Sequence, residues 1–405
     1  MRRPRVLAGI VLIAVAAGAF AMRPYVHGLT FIVRAANMQG AIRRVADADT
    51  RAVIERRLDV TAKPGQLAPM PARLYRPATR PRRLVLLASG LHPAGIDEPR
   101  LVALARQLAA SGLAVVTPDI PELSRYDITP AITDKIERAA FWASGLSESE
   151  GATAGDGRVG LIGISFSGGL SVVAAGRPSL RERVAYVVSV GGHDDLPRVL
   201  RYLCTGSEPL PEQFGPGASA AASDPATMFV RRPHDYGVAV ILLAVAHRVV
   251  PLPQVDHLRQ AVRRFLAAST LERVDRVRAQ ADFAALRTLE PTLPEPSSTL
   301  LRYLNERDVI QLGRALLPYI GEYGNASSLS TSRSDKPSAP VFLLHGTDDN
   351  VVPTIESEYL AEHLRGHAPV RLLLSDLISH AETDRQPRPG DVMRLAGFWG
   401  DLLER

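Results

Sequence analysis

The sequence predicts a doubly wound, mostly parallel α/β sheet, with an inserted helical cap and an apolar helix at the amino terminus. Three observations predict this fold class. Short continuous apolar runs alternate with segments of helical spacing through residues 84–190 and again through 341–403. Residues 194–338 interrupt that alternation with helical patterns and Pro- and Ser-rich stretches. Residues 6–22 form one uninterrupted apolar run.

The first 23 residues have the pattern of an export signal. A basic start, Met1 to Arg5, precedes the apolar run, and Arg23 closes it, as in a secretory signal. The run also lies at the lower limit of what crosses a bilayer. Two interpretations stay open beside a less favoured one, a buried helix of the fold, which arginines would flank at both ends. The preferred one is an uncleaved signal anchor in the cell membrane, with the remainder of the chain on the extracytoplasmic side. The other is cleavage near Ala19-Phe20-Ala21, which gives a secreted or periplasmic protein.

Residues 24–57 are interpreted as a second amino-terminal unit of helical character. The apolar positions between 29 and 45 have mostly helical spacing. This pattern suits either a helix that lies on the membrane surface or one that packs on the folded domain.

The folded core is predicted in two parts, residues 58–193 and 339–405. Strand-like pieces at 58–61 and 72–75 flank a Lys-Pro-Gly turn signal and predict a hairpin. Continuous apolar runs then predict strands at 84–88, 113–117, 159–163, 184–190, 341–344 and 370–374. Helical spacing predicts helices at 101–110, 128–142, 168–175, 356–364 and 392–403. Apolar strands that alternate with helices indicate a parallel sheet covered on both faces.

The interruption at 194–338 is interpreted as a helical cap at the carboxyl end of the sheet. Helical faces are predicted at 196–203 and 258–266, and no strand is predicted. The apolar run at 238–246 is too short to cross a membrane. We interpret it as the buried core of the cap in preference to an acyl-binding wall.

Composition excludes several classes of protein. The 405 residues carry 48 Lys and Arg against 42 Asp and Glu, a formal charge of +6, with no basic block after the first segment. This argues against a nucleic-acid partner. The single cysteine, Cys204, rules out an internal disulfide framework and a cysteine-rich metal site. Metalloprotease and P-loop motifs are absent from the sequence, which argues against those two classes of protein.

The segment from Val159 to Gly169 has the pattern of a nucleophile elbow. An apolar strand runs into a turn of small residues and then into an apolar helix, which is the context that such an elbow requires. Ser165 is the preferred nucleophile, because Gly163 stands two residues before it. Ser167 stands where a second glycine is usual. Ser167 therefore remains an alternative nucleophile, with Ser165 before it and Gly169 after it.

An acid and a base follow later strands in the order expected for a catalytic triad. Asp349 lies in the acidic loop after the strand at 341–344, with Asp348 as the fallback. His380 follows the next strand. An acid in such a loop can fix the tautomer of a histidine, which then acts as the base for a serine. The order Ser165, Asp349, His380 is the chain order of α/β-hydrolases.

On these residues the sequence resembles the α/β-hydrolase family, in particular the esterase, lipase and dienelactone-hydrolase-like members that carry a cap after the sixth core strand. The resemblance covers residues 58–192 and 339–405. It implies an oxyanion hole made by the backbone N–H groups of Phe166 and Leu91. His92 and His193 are possible pocket-lining residues, with a structural role as the alternative for His92 and contact with the hinge of the cap as the alternative for His193. Some members place their acid after the sixth strand, which leaves Asp194 and Asp195 as alternatives.

The resemblance implies a serine hydrolase that acts through an acyl-enzyme, most simply on carboxylic esters, with neither a metal nor an organic cofactor. A small-molecule or lipid-like ester is the expected partner, with the membrane reached through the amino-terminal segment. A peptidase, a thioesterase and a carbon–carbon hydrolase use the same triad and remain alternatives. A non-catalytic binding protein of the same fold is a further alternative. The sequence is silent on oligomeric state.

Overall fold

A computed structural model describes residues 3–48, 50–61, 68–210, 228–272, 274–378 and 388–405, with side chains from residue 18 onward except those of 19 and 147–149. Eight strands form the central sheet. They are β1 (Val53–Val60), β2 (Met70–Pro77), β3 (Leu84–Ala88), β4 (Ala114–Pro118), β5 (Val159–Ile164), β6 (Val184–Val190), β9 (Val341–Gly346) and β10 (Val370–Ser375). A separate pair consists of β7 (Ser207–Pro209) and β8 (Met228–Val230).

The order of strands across the sheet is β1-β2-β4-β3-β5-β6-β9-β10. The strand β2 is antiparallel to both of its neighbours. All pairs from β4 to β10 are parallel. The predicted doubly wound, mostly parallel sheet is therefore confirmed. Its carboxyl edge brings together the loops that follow β3, β5, β6 and β9, which is where ligands bind in open α/β sheets.

Both faces of the sheet are buried, as the continuous apolar runs predict. In β3, Leu84 and Leu86 face one hydrophobic cluster, whereas Val85 and Leu87 face the other. Successive side chains of a strand point to opposite faces, so each face needs its own cover of helices. Burial of each such side chain stabilises the fold by about 1.5–3 kcal/mol.

Helices cover the two faces separately. One face carries α5 (Pro130–Ser149) and α6 (Phe166–Gly176), and the other carries α3 (Pro99–Ala110) and α14 (Pro389–Glu404). The short α4 (Pro121–Arg125) follows β4, and α13 (Ile355–Leu364) connects β9 to β10.

The segment between β6 and β9 is mostly helical. It contains α7 (Leu196–Thr205), α8 (Asp235–Val249), α9 (Leu252–Leu271), α10 (Arg276–Leu289), α11 (Ser297–Asn305) and α12 (Val309–Leu316). The expectation that it holds no strand is wrong, because β7 and β8 pair antiparallel within it. The apolar run at 238–246 lies in α8, and most of its side chains are buried.

At the amino terminus, α1 (Arg3–Ala35) is followed by α2 (Ala41–Asp47). The later part of α1 packs on α14 at very short range, since a Cβ on Gly28 would lie 1.8 Å from the carbonyl oxygen of Ala396. Phe31 is buried, with its ring centroid 4.6 Å from that of Trp399. This part of the chain therefore packs on the folded domain. Among the described residues, none of the helices combines the length and apolar character needed to cross a membrane.

Candidate active site

Ser165 occupies a strained turn between β5 and α6. Its backbone has φ 54° and ψ −129°, and its side chain is partly exposed. A positive φ is rare in residues other than glycine, and such strain costs on the order of 1–3 kcal/mol, which makes it a pointer to function when it is observed. Two hydrogen bonds hold the turn. The N–H of Ser165 donates to the carbonyl of Val190 at 2.6 Å, and its own carbonyl accepts from Gly168 at 2.8 Å.

Small residues around Ser165 are required by close backbone contacts. A Cβ on Gly163 would lie 2.2 Å from the carbonyl oxygen of Ser167, and a Cβ on Gly169 would lie 2.2 Å from that of His193. Both distances are far below van der Waals contact. Gly163 therefore allows β5 to meet α6 at this angle, and Gly169 allows α6 to pack against the chain that follows β6.

Ser167 has a structural position. Its side chain is fully buried, and its Oγ lies 3.1 Å from the carbonyl oxygen of Ala88 and 3.0 Å from that of Ile164. The same Oγ accepts a hydrogen bond from the N–H of Ile164 at 3.1 Å. Because these contacts use the hydroxyl inside the turn, the geometry favours Ser165 over Ser167 as the nucleophile.

The loop after β3 reaches the nucleophile from the other side. A Cβ on Gly90 would lie 3.3 Å from the Cβ of Ser165, so the backbone that carries Leu91 passes directly beside the serine. Phe166 is the first residue of α6, and no side chain caps this helix start. The predicted oxyanion donors, the N–H groups of Leu91 and Phe166, therefore belong to backbone on the two flanks of Ser165.

Asp349 lies in the loop after β9 and is almost fully buried. Its Oδ1 accepts hydrogen bonds from the N–H groups of Val351 at 2.9 Å and Val352 at 3.0 Å. A Cβ on Gly191 would lie 3.4 Å from its Oδ2. Gly191 directly follows β6, and the residue before it, Val190, accepts the hydrogen bond from Ser165. The carboxylate and the serine therefore flank the end of the same strand.

Asp348, the fallback acid, has a different environment. Its side chain is 41% exposed and lies 3.6 Å from the guanidinium of Arg231. Asp349 is the better placed of the two, because a buried carboxylate with fixed hydrogen bonds can orient a histidine.

His380, the predicted base, lies outside the described residues. The strand that leads to it, β10, pairs with β9 over its whole length, with Ser375 opposite Gly346. The N–H of Thr347 donates to the carbonyl of Ser375 at 3.3 Å. The described chain toward residue 380 therefore leaves the sheet next to the loop that holds Asp349.

The alternative acids after β6 are engaged in other contacts. Asp194 is buried, and its Oδ2 accepts hydrogen bonds from Arg198 at 3.1 Å and His363 at 2.8 Å. The Oδ1 of Asp195 accepts from the N–H of Arg198 and caps α7. These contacts give both carboxylates a structural role at the junction of core and cap.

The two candidate pocket histidines differ. Of the two predicted roles of His193, contact with the cap segment fits its position better than contact with substrate. His193 is buried beneath Phe166, with ring centroids 4.9 Å apart, and its Nε2 lies 2.9 Å from the carbonyl oxygen of Leu329. Burial lowers its pKa, which favours a neutral ring. His92 is partly exposed, and its Nδ1 accepts from the N–H of Ala94 at 3.2 Å.

Sequence reasoning missed a short cap segment, residues 231–236, that contacts both sides of the site. A guanidinium N–H of Arg231 donates to the carbonyl of Thr347 at 2.8 Å, and the N–H of His234 donates to that of Asn350 at 2.9 Å. Tyr236 donates its hydroxyl hydrogen to the carbonyl of Leu91 at 2.7 Å. Burial raises the pKa of Tyr236 well above its usual value, so the phenol keeps that proton. The segment thereby connects the loop that holds Asp349 to the loop after β3 that holds Leu91.

Neither a protein-family model nor a curated protein matches the sequence. The chain is similar in structure to esterase LipW from Mycobacterium marinum, with 16% identity over 92% of this chain and 88% of that one, at a TM-score of 0.44. It is also similar to brefeldin A esterase, described as a bacterial homologue of human hormone sensitive lipase, with 13% identity over 94% and 86% of the two chains and a TM-score of 0.43. A third similarity is to acylaminoacyl peptidase from Pyrococcus horikoshii, at 11% identity and a TM-score of 0.42. That match covers 90% of this chain but only 44% of the peptidase.

Proposed function

We propose that this protein is a serine hydrolase that cleaves carboxylic esters through an acyl-enzyme, with Ser165 as nucleophile, His380 as base and Asp349 as the orienting acid. The observation that carries the proposal is the strained backbone of Ser165 at the turn from β5 into α6. A serine hydroxyl is a weak nucleophile unless it is exposed beside a base. The partly exposed Ser165, with a buried carboxylate at the end of the neighbouring strand, supports this assignment.

The proposed reaction has two halves. In the first, Ser165 Oγ attacks the ester carbonyl carbon while His380 takes the hydroxyl proton. The N–H groups of Phe166 and Leu91 stabilise the oxyanion, and the loss of one such donor costs on the order of 10²–10³ in rate. Collapse breaks the carbon–oxygen bond to the alcohol, which leaves with the proton from His380. Asp349 stabilises the charged imidazole.

In the second half, water attacks the acyl-serine. His380 takes a proton from that water, and the tetrahedral intermediate forms at the same oxyanion donors. Collapse returns the proton to Ser165 Oγ and releases the carboxylic acid, so the enzyme is restored. The net reaction consumes one ester and one water and yields one alcohol and one acid.

Labelling with a fluorophosphonate probe tests the nucleophile. We expect the purified full chain to be labelled and Ser165→Ala to lose the label. The matched control is Ser167→Ala, which should keep most of the labelling provided that circular dichroism shows it folded. Labelling that survives Ser165→Ala would refute the assignment of Ser165.

Turnover tests the other two residues. With a panel of short- and long-chain esters, thioesters and anilides, His380→Ala and Asp349→Asn should each lower kcat, the latter by about 10⁴-fold. Asp348→Asn is the control and should leave kcat within about threefold, because an exposed ion pair contributes little. Equal losses in Asp348→Asn and Asp349→Asn would mean that the acid is misassigned. Inactivity on the whole panel, together with an accessible serine, would favour a binding protein of this fold.

We also propose that the amino-terminal segment is an export signal that is retained as an anchor in the cell membrane, with the hydrolase domain outside the cytoplasm. The basic residues Arg2, Arg3 and Arg5 before the apolar run at 6–22 support this. Alkaline extraction of membranes from cells that make the full chain is the test. Retention in the membrane fraction is expected, and release of a shortened chain would favour cleavage.

A further inference from the structure

A cavity unrelated to the candidate active site lies at the opposite edge of the sheet. Its volume is about 100 Å³, and its lining includes Arg82 and Ser111. Arg82 stands just before β3, and Ser111 stands at the end of α3 shortly before β4. The amino ends of these strands mark the edge remote from Ser165. The cavity is therefore a second candidate site.

One face of α1 supplies half of the lining. Arg23, His27, Thr30 and Arg34 all border the cavity. Residues at this spacing of three to four lie on one side of a helix. The remaining basic lining residue, Arg51, stands before β1. Four guanidinium groups are thus directed to one small volume, although they come from three separate parts of the chain.

None of the described residues that line the cavity is an Asp or a Glu. Beside it, Glu404 contacts Arg23 at 3.4 Å, Arg82 at 3.2 Å and His27 at 2.6 Å. One carboxylate thus contacts two guanidinium groups and an imidazole.

Arg51 is the most telling of the four. It is partly buried, and its guanidinium lies directly against Gly112, where a Cβ would come within 2.0 Å of Nη1. Arg34, in contrast, donates to Ser111 Oγ at 2.7 Å and to the carbonyl of Ala46 at 2.7 Å. Among the described contacts, the guanidinium of Arg51 has no acceptor. Grouped like charges repel one another, and a bound anion would remove that repulsion.

We propose that this cavity binds a phosphate group. The planar guanidinium fork matches the oxygens of a phosphate. A cavity needs roughly 10–15 Å³ to hold one water molecule, so about 100 Å³ has room for a tetrahedral oxyanion. The group is the headgroup of an anionic lipid or the phosphate of a soluble compound. The two sources share this chemistry, and the experiment separates them.

Calorimetric titration of the purified full chain with inorganic phosphate, at constant pH and ionic strength, tests the site. We expect saturable binding that Arg51→Gln weakens by about tenfold or more, as loss of a charge-assisted hydrogen bond predicts. The control is Arg263→Gln, an exposed arginine on α9 in the cap, which should bind as the parent does. Ester hydrolysis should be equal in the parent and both variants, which separates this site from the proposed catalytic one.

A second arm uses vesicles of phosphatidylcholine with or without phosphatidic acid. An increase in capture on adding phosphatidic acid that is absent in Arg51→Gln would assign the site to a lipid headgroup, whereas phosphate binding without such an increase would assign it to a soluble compound. No binding in either arm, or equal binding by Arg51→Gln and Arg263→Gln, would overturn the proposal. If Arg51→Gln fails to fold, Arg51→Lys replaces it. A several-fold weakening then supports the site, and unchanged binding refutes it.

Discussion

Replacing Glu208 with glutamine should reduce the decline of the free energy of unfolding as pH rises. Glu208 lies in β7 of the cap and is fully buried. Its Oε1 accepts a hydrogen bond from Arg198 at 2.9 Å, and the same guanidinium contacts Glu356 of α13 at 2.6 Å. Burial and the neighbouring charge of Glu356 raise the pKa of Glu208 from 4.5 to about 11. The pKa of Glu356 is held below its usual value, with burial opposed by the charge of Arg198.

The sign and size of the effect of Glu208 on the free energy of unfolding follow from proton linkage. Between pH 4.5 and about 11, Glu208 is protonated in the folded protein and ionised in the unfolded chain. The unfolded state then binds one proton fewer, so this residue's contribution is complete below pH 4.5 and is lost as pH rises, at about 1.4 kcal/mol per pH unit. From pH 6 to pH 9 the loss amounts to about 4 kcal/mol. Glutamine mimics the protonated form and removes this slope.

Urea unfolding at several pH values between these limits is the assay. The free energy of unfolding of the parent should fall relative to that of Glu208→Gln by about 1.4 kcal/mol for each pH unit. Glu182→Gln, at an exposed site, is the control and should keep the slope of the parent. Parallel curves for the parent and Glu208→Gln would refute the protonated state of Glu208.

Three further predictions concern the candidate active site. Gly163→Ala should abolish soluble folded protein or fluorophosphonate labelling, because its Cβ would lie 2.2 Å from a carbonyl oxygen. The matched Gly145→Ala, an exposed helical glycine with open space around it, should gain up to about 1 kcal/mol in urea unfolding. A folded, labelled Gly163→Ala would contradict the packing of the elbow. Ser167→Ala should lower the free energy of unfolding by about 1–3 kcal/mol while labelling persists, because it leaves buried backbone groups without a partner; no loss of stability would contradict its structural role. Tyr236→Phe should lower kcat for esters by roughly three- to tenfold, the equivalent of one hydrogen bond to Leu91, and an unchanged kcat would show that this contact does not position the oxyanion loop.

The central strands could be predicted from sequence to within one or two residues because both faces of the sheet are buried, which produces continuous apolar runs. The edge strand β1 was only half predicted. Its first residues are largely exposed, so they carry no apolar pattern. The pair β7 and β8 has three residues in each strand, too few for any periodicity. In the cap, α10 exposes most of its side chains, and only Ala279, Phe283 and Leu286 are buried, which weakens its helical signal.

The candidate site, like the fold, was predictable from sequence only in part. The positions of Ser165 and Asp349 at one edge of the sheet were predictable because each residue follows an apolar strand that ends there. That of Tyr236 was not, because its contact with Leu91 joins residues 145 positions apart and depends on how the cap docks. The burial of His193 could not be predicted, for a related reason. Its distance from the sheet edge along the chain says nothing about Phe166, which covers it.

The hydroxyl of Tyr236 joins the cap to the loop after β3, so movement of the cap would affect that loop. Under the proposed function, a rotation of the cap large enough to let a bulky acyl group in would break the hydrogen bond from Tyr236 to Leu91, in the loop that would carry one oxyanion donor. Substrate entry and stabilisation of the oxyanion would then be mutually exclusive. Each turnover would require the cap to close again before the ester bond is cleaved. Esters of small alcohols that enter while the cap is closed would not need this opening and closing. Their rates would be limited by bond cleavage instead of by motion of the cap.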